Sequence, residues 1–223
     1  MGTDSVLLGA WADVSGCRSV LDIGTGTGVV ALMLAQRMSQ TATASEAETR
    51  ITGVEIHPAS AECARRNFEA SPWAASLEIA GMSVQDFVRN STLRFDLIVS
   101  NPPFFSEKIV SPDESRRLGR STVALSPDYL LSVAKALLEP GGRLCVILPE
   151  RQGRRLCERA VMDNMYCTEE MAVRSRSHKP VERLLLRFER NPYLFQKKEL
   201  VVFGEGNVYT PDYKELTGAF YLQ

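Results

Sequence analysis

Ser19-Val-Leu-Asp22-Ile-Gly24-Thr25-Gly26-Thr-Gly28 runs straight into Val29-Val-Ala-Leu-Met-Leu-Ala-Gln-Arg-Met38. A short apolar run, a glycine-rich turn and an apolar-faced helix in that order read as strand, loop, helix. The pattern recurs outward from there. Arg50 to Glu55 reads as a second strand, and Pro58 suits the first turn of a helix reaching Ala70. Ser76 to Ala80 is a weaker strand and Val84 to Arg89 a short helix. Phe95 to Val99 is a strand that stops at Asn101-Pro102-Pro103. Ser126 and Pro127 look like the cap and first position of a helix to Leu138. Gly141-Gly142 turns into a strand at Arg143 to Leu148, and Arg151 to Asp163 is helical. Met165 to Arg174 and Glu182 to Phe188 read as two antiparallel strands at the sheet edge.

Strands alternating with helices predict an α/β fold: a seven-stranded, mostly parallel sheet with an antiparallel edge strand and helices on both faces. The expected division is one domain over residues 1–190. Residues 191–223 form a C-terminal appendage packed on that domain, with a strand at Glu199 to Phe203 and a short helix at Asp212 to Ala219.

The glycines alternate and do not follow the dinucleotide spacing G-x-G-x-x-G. With Asp22 before them, they fit a ligand that has an amino-acid end better than one with a pyrophosphate. Asp22 is the candidate for the ammonium, directly or through water. Gly24, Thr25, Gly26 and Gly28 let backbone approach the ligand. Glu55 ends the second strand about 27 residues beyond Gly28, where a carboxylate accepts from two ribose hydroxyls, with Ile56 beside it. The end of the third strand should supply the adenine pocket: Ser83 or Asp86, with Met82 as an apolar face. An acid is expected where Ser83 stands.

The composition fits a globular chain. The 223 residues are 44% hydrophobic and 24% charged, with net charge −1, so total charge points to no polyanionic partner. Distribution says more: residues 1 to 100 are acidic by roughly four charges and residues 143 to 198 basic by roughly six. Five cysteines without CxxC spacing and two histidines offer no zinc set, so no metal is expected and the thiols read as free. The sequence shows no signal peptide and no long apolar run. The expected location is the cytoplasm, with no membrane partner; oligomeric state is unreadable.

Ser100-Asn101-Pro102-Pro103-Phe104-Phe105 carries the chemistry. An exocyclic amine on a purine is a poor nucleophile because its lone pair is delocalised into the ring. Two acceptors aimed at its hydrogens favour a pyramidal nitrogen and localise that pair. The Asn101 side-chain oxygen and the Pro102 carbonyl are the two acceptors, and they act most as positive charge develops on nitrogen. Pro103 stiffens the loop. Phe104 offers a face for stacking a flipped base, worth roughly 1–3 kcal/mol. No group titrating near neutrality is required.

The Asn-Pro-Pro-Phe tetrad after a DxGxGxG loop resembles the mark of class I amino-methyltransferases. Gly2-Thr3-Asp4-Ser-Val-Leu-Leu-Gly-Ala-Trp11, Phe95 to Pro103 and Ala219-Phe-Tyr-Leu222 look more closely like the bacterial tRNA1(Val) (adenine-37-N6)-methyltransferase family. The resemblance implies a Rossmann-like class I methyltransferase fold and S-adenosylmethionine as cofactor, with S-adenosylhomocysteine as product. It also implies tRNA as partner and methylation of adenine N6. Asn101 to Phe104 would hold the adenine, and Thr3 and Asp4 would lie near the cofactor. Members of that family carry an arm of basic and aromatic residues before the Gly-Thr-Asp block, whereas this sequence opens on the block itself.

Lys108, Arg116, Arg117 and Arg120 follow the tetrad, where a flipped base enters, and are candidate phosphate contacts. Arg176 and Lys179 belong to a second basic run on the same edge. A release-factor type glutamine N5-methyltransferase and a ribosomal RNA guanine N2-methyltransferase use the same tetrad and stand as alternatives.

Overall fold

The computed structural model describes residues 2–41, 49–102 and 126–221. Seven α-helices and eight strands are found among them. The chain opens with α1 (Thr3–Trp11), β1 (Ser19–Ile23) and α2 (Val29–Thr41). It continues through β2 (Arg50–Val54), α3 (Pro58–Glu69), β3 (Leu77–Ala80), α4 (Val84–Asn90) and β4 (Phe95–Ser100). After the tetrad come α5 (Pro127–Leu137), β5 (Leu138–Pro149), α6 (Glu150–Met162), β6 (Tyr166–Arg174), β7 (Arg183–Glu189), β8 (Gln196–Val201) and α7 (Pro211–Thr217).

The strands form one sheet in the order β3-β2-β1-β4-β5-β7-β6-β8. β3 through β5 are mutually parallel. β7 is antiparallel to both β5 and β6, and β8 is parallel to β6. The α/β class and the mostly parallel sheet are as expected, but the far end differs in detail. There are eight strands, the antiparallel β7 is flanked on both sides, and β8 is the edge. Gln196-Lys-Lys-Glu199 is exposed and only Leu200 of this strand is buried, so apolar alternation gives no warning of the first half of β8. The backbone ladder with β6 holds it instead, and beside it Lys198 Nζ lies 2.8 Å from Glu169 Oε1 and Glu199 Oε1 2.8 Å from Arg174 Nε. β5 also starts earlier than Arg143, because a register irregularity carries the pairing from Leu97↔Arg143 back to Phe95↔Leu138.

Buried side chains alternate along the central strands, since neighbouring residues point to opposite faces. On β4, Leu97 and Val99 join the cluster under α1, α2 and α7, with Leu7, Leu34 and Tyr213. Ile98 joins the opposite cluster under α4, α5 and α6, with Leu130, Leu156 and Phe87. A sheet covered on both faces explains why β1 and β4 read as continuous apolar runs. The helix starts follow local chemistry. Ser126 Oγ accepts from Tyr129 N at 3.2 Å ahead of Pro127, and Thr210 does the same for Tyr213 ahead of Pro211. Of the five free cysteines, Cys17 and Cys145 are buried and Cys63 is exposed.

Candidate active site

β1 pairs with β4 so that Ile23 lies opposite Ser100, and the Ser100 hydroxyl donates to the Ile23 carbonyl at 2.9 Å. The next residue on one strand is Gly24 and on the other Asn101. The glycine loop and the start of the tetrad therefore leave the sheet side by side. From β1 the strand order runs outward both ways, which is the crevice where ligands settle on such sheets.

The loop is built by backbone conformation. Gly24, Gly26 and Gly28 have φ of 71°, 60° and 85°, a region that side chains rarely adopt. Beside Gly26 a Cβ would meet nothing within 4 Å, whereas at Gly28 it would come within 2.4 Å of Phe68 Cε1. Gly26 thus borders open space, and Gly28 lets α3 close against the loop. The amides of Gly24 and Thr25 both donate to Val54 O, at 2.9 and 3.1 Å.

Asp22 and Glu55 anchor this loop from below. The Thr25 hydroxyl donates to Asp22 Oδ2 at 2.6 Å, and Asp22 is only 1% exposed. Burial, joined by the nearby Glu55 carboxylate, pushes its carboxyl up to about 6 against the lowering by the Thr25 and Ala31 bonds. Glu55 Oε2 accepts from Gly26 N at 3.0 Å and Oε1 from His57 N at 2.8 Å. Each carboxylate oxygen can take a further donor. Next to Glu55, Ile56 and Met82 are exposed apolar side chains.

Ser83 and Asp86 serve a local purpose. Ser83 caps α4 by accepting from Asp86 N at 3.1 Å, and its hydroxyl donates to Asp86 Oδ2 at 2.6 Å. Thr3 is exposed at the start of α1, and Asp4 faces Arg183 of β7 at 2.9 Å. Arg176 Nη1 donates to Gly204 O at 3.0 Å and its other nitrogen reaches Asn207. Lys179 is exposed. Pro103, Phe104, Lys108, Arg116, Arg117 and Arg120 lie outside the described residues.

Asn101 is half-buried and Pro102 buried. Asn101 Nδ2 donates to Ser5 Oγ at 3.1 Å. Helix α1 was not anticipated from composition, and Ser5 carries no motif that would single it out. Among the described residues no group of His, Cys, Asp and Glu could hold a metal ion, and no helix is long and apolar enough to cross a membrane.

Comparison with known proteins fits this geometry. Residues 4–176 match the family model of the methyltransferase small domain. Similarity to solved structures covers nearly the whole chain. A predicted O-methyltransferase of Agrobacterium tumefaciens superposes with a TM-score of 0.71 at 19% identity, over 97% of this chain and 96% of the other. A ribosomal-protein methylase of Lactobacillus delbrueckii gives 0.54 at 16% identity, over 84% and 78%; both show the fold alone. Closer in sequence are two tRNA1(Val) (adenine(37)-N6)-methyltransferases. The protein from Actinobacillus succinogenes is 40% identical over 223 residues, covering 100% of this chain and 90% of its own. That from Yersinia enterocolitica is 40% identical over 222 residues, covering 100% and 86%. The chain belongs to the methyltransferase small-domain family and, within it, to the tRNA1(Val) (adenine(37)-N6)-methyltransferase family. It is thus a methyltransferase, and its family implies use of S-adenosylmethionine.

Proposed function

We propose that this chain transfers a methyl group from S-adenosylmethionine to N6 of adenine 37, beside the anticodon of tRNA1(Val), in the cytoplasm. The observation that carries the reading is the adjacency of two loops: Gly24 and Asn101 each follow directly on the paired residues Ile23 and Ser100. A cofactor loop and an amine-gripping loop must meet if a methyl group is to pass between their ligands. The names of the two 40%-identical relatives support the choice of substrate.

The residues fit the cofactor. Gly26 borders open space, with no heavy atom within 4 Å of where its Cβ would stand, and Glu55 keeps acceptor capacity beside it. Gly24, Thr25, Gly26 and Gly28 would form the cradle and Glu55 would take the ribose hydroxyls. Asp22 holds the cradle from within and offers its charge to the ammonium from beneath the loop. Ile56 and Met82 flank the adenine end, with Ser83 and Asp86 bordering it at the α4 cap. Bound there, S-adenosylmethionine supplies an electrophilic methyl on a sulfonium.

On the other side, Asn101 Oδ1 and the Pro102 carbonyl accept the two amine hydrogens of the target adenine. Both are dipoles fixed before the reaction, so they favour the charge that develops on nitrogen without reorganising. Phe104 stacks on the flipped base. Lys108, Arg116, Arg117, Arg120 and Lys179 meet backbone phosphates. Arg176 supports the same edge through its bonds to Gly204 and Asn207.

The test is methyl transfer by the purified chain to tRNA lacking the modification, with nucleoside mass analysis of the digest. N6-methyladenosine in the anticodon loop is the expected product. N2-methylguanosine, or methylglutamine formed on a release-factor peptide with no tRNA product, overturns the substrate assignment.

A further inference from the structure

An asparagine that must accept hydrogen bonds faces a problem of its own symmetry. Its amide ends in an oxygen and an NH2 of almost equal size, and a half-turn about the last torsion exchanges them. Turned the wrong way, Asn101 would aim two donors at an amine that is itself a donor. The tetrad's sequence holds nothing that prevents this, because the prolines fix backbone and not the amide.

Ser5 meets the NH2 end of that amide: Asn101 Nδ2 donates to Ser5 Oγ at 3.1 Å. We infer that Ser5 is a positioning residue for the transfer, holding the Asn101 amide so that Oδ1 points at the substrate amine. This rests on the reading of Asn101 given above. In this orientation Ser5 Oγ accepts the Nδ2 N–H, so its own O–H is turned away from the amide and the carbonyl end is left free.

Ser5 can serve as a reference point because α1 is pinned at both ends. Asp4, its neighbour, lies 2.9 Å from Arg183 Nε at the start of β7. At the other end Arg37 Nη1, from α2, donates to Gly9 O at 2.8 Å and Ala12 O at 2.6 Å. Val6, Leu7 and Leu8, directly after Ser5, are at most 1% exposed. A helix held by core packing and by charged contacts to two other elements moves little relative to β4. The bond from Asn101 therefore refers the amide to the whole sheet and not to its own loop.

The experiment compares Ser5→Ala, Ser5→Thr and Asn101→Ala in steady-state methylation of tRNA, with cofactor affinity measured separately by calorimetry. Ser5→Ala should lower kcat by about 10- to 30-fold, the scale of one oriented hydrogen bond. KM for tRNA and cofactor affinity should stay within about twofold, since neither depends on amide orientation. The melting midpoint should move by no more than about 3 °C, because alanine is a good helix residue. Ser5→Thr, which keeps the hydroxyl, should recover kcat to within about threefold of the parent. A wild-type kcat in Ser5→Ala beside an inactive Asn101→Ala overturns the role of Ser5 alone. A loss shared by KM, cofactor affinity and melting, with no recovery in Ser5→Thr, also overturns it. Full turnover in Asn101→Ala removes the reading of the site on which the role rests.

Discussion

The loop after β1 and the loop after β4 leave the sheet side by side, yet they are held in opposite ways. The glycine loop is shaped by its own backbone and held by the end of the neighbouring strand β2. Its shape comes from positive φ at Gly24, Gly26 and Gly28, and its anchors are Asp22 on β1, the Val54 carbonyl that ends β2 and Glu55 directly after it. The tetrad loop takes its only described side-chain anchor from Ser5, 96 residues away in sequence. A cofactor cradle must present backbone and can be written into a few contiguous residues. An amide that must point one way needs a partner, and that partner can come from anywhere the fold brings near.

Substitutions can break the contrast, beginning with the largest effect. Gly28→Ala places a Cβ at φ 85° and 2.4 Å from Phe68. Strain and overpacking together should cost about 3–5 kcal/mol of stability in urea unfolding, with cofactor binding lost as well. An unchanged unfolding midpoint would show that α3 yields easily and that the backbone at Gly28 tolerates a side chain.

Asn101→Ala should leave cofactor affinity unchanged in calorimetry and lower turnover at least about 100-fold, the scale of one lost transition-state contact. Glu55→Ala should do the reverse. It removes the acceptor of the Gly26 and His57 amides and should weaken cofactor binding about 30-fold, near 2 kcal/mol. Turnover at saturating cofactor should fall much less. Equal loss of binding in both variants would erase the division between the two loops.

Asp22→Asn is the smallest and sharpens the point most. Burial raises the Asp22 carboxyl from 3.8 to about 6, so the folded chain binds this proton more tightly than the unfolded one. Its contribution to stability is therefore full below pH 3.8 and is lost as pH rises through about 6. At pH 7.5 the buried charge opposes folding, and the neutral amide should raise stability by about 1–2 kcal/mol while weakening the cofactor complex. The gain should shrink as pH is lowered through 6. A pH-independent difference, measured by urea unfolding at several pH values, would mean that Asp22 carries no buried charge.

Much of this could be read in one dimension. The β1 bounds, the Ser126 cap with Pro127, and the strand ends to within one residue (Glu55 expected and Val54 found, Val99 expected and Ser100 found) follow from residues within a few positions of each other. Several side chains have partners that the linear text does not show. Gln196 to Glu199 looks like a solvated run because its partners are charges on β6 and not a core. Ser83 and Asp86, candidates for the adenine pocket, also hydrogen-bond to each other at the start of α4. Arg176, a candidate phosphate contact, also bonds to Gly204 and Asn207. In each case the side chain's partner is set by three-dimensional neighbours or by geometry too fine for a spacing pattern.

By itself the sequence determined where backbone must bend and where apolar runs must be buried. That was enough for an α/β sheet with a glycine-rich turn after β1 and Asn101 directly after β4. Torsional limits and hydrophobic periodicity are properties of short stretches, so they survive in the linear text. Only the tertiary structure decided that Asp22 is sealed from water, that Asp4 pairs with Arg183, and that Ser5 reaches the amide of Asn101. Those depend on which surfaces pack together, and packing is settled by the whole chain at once.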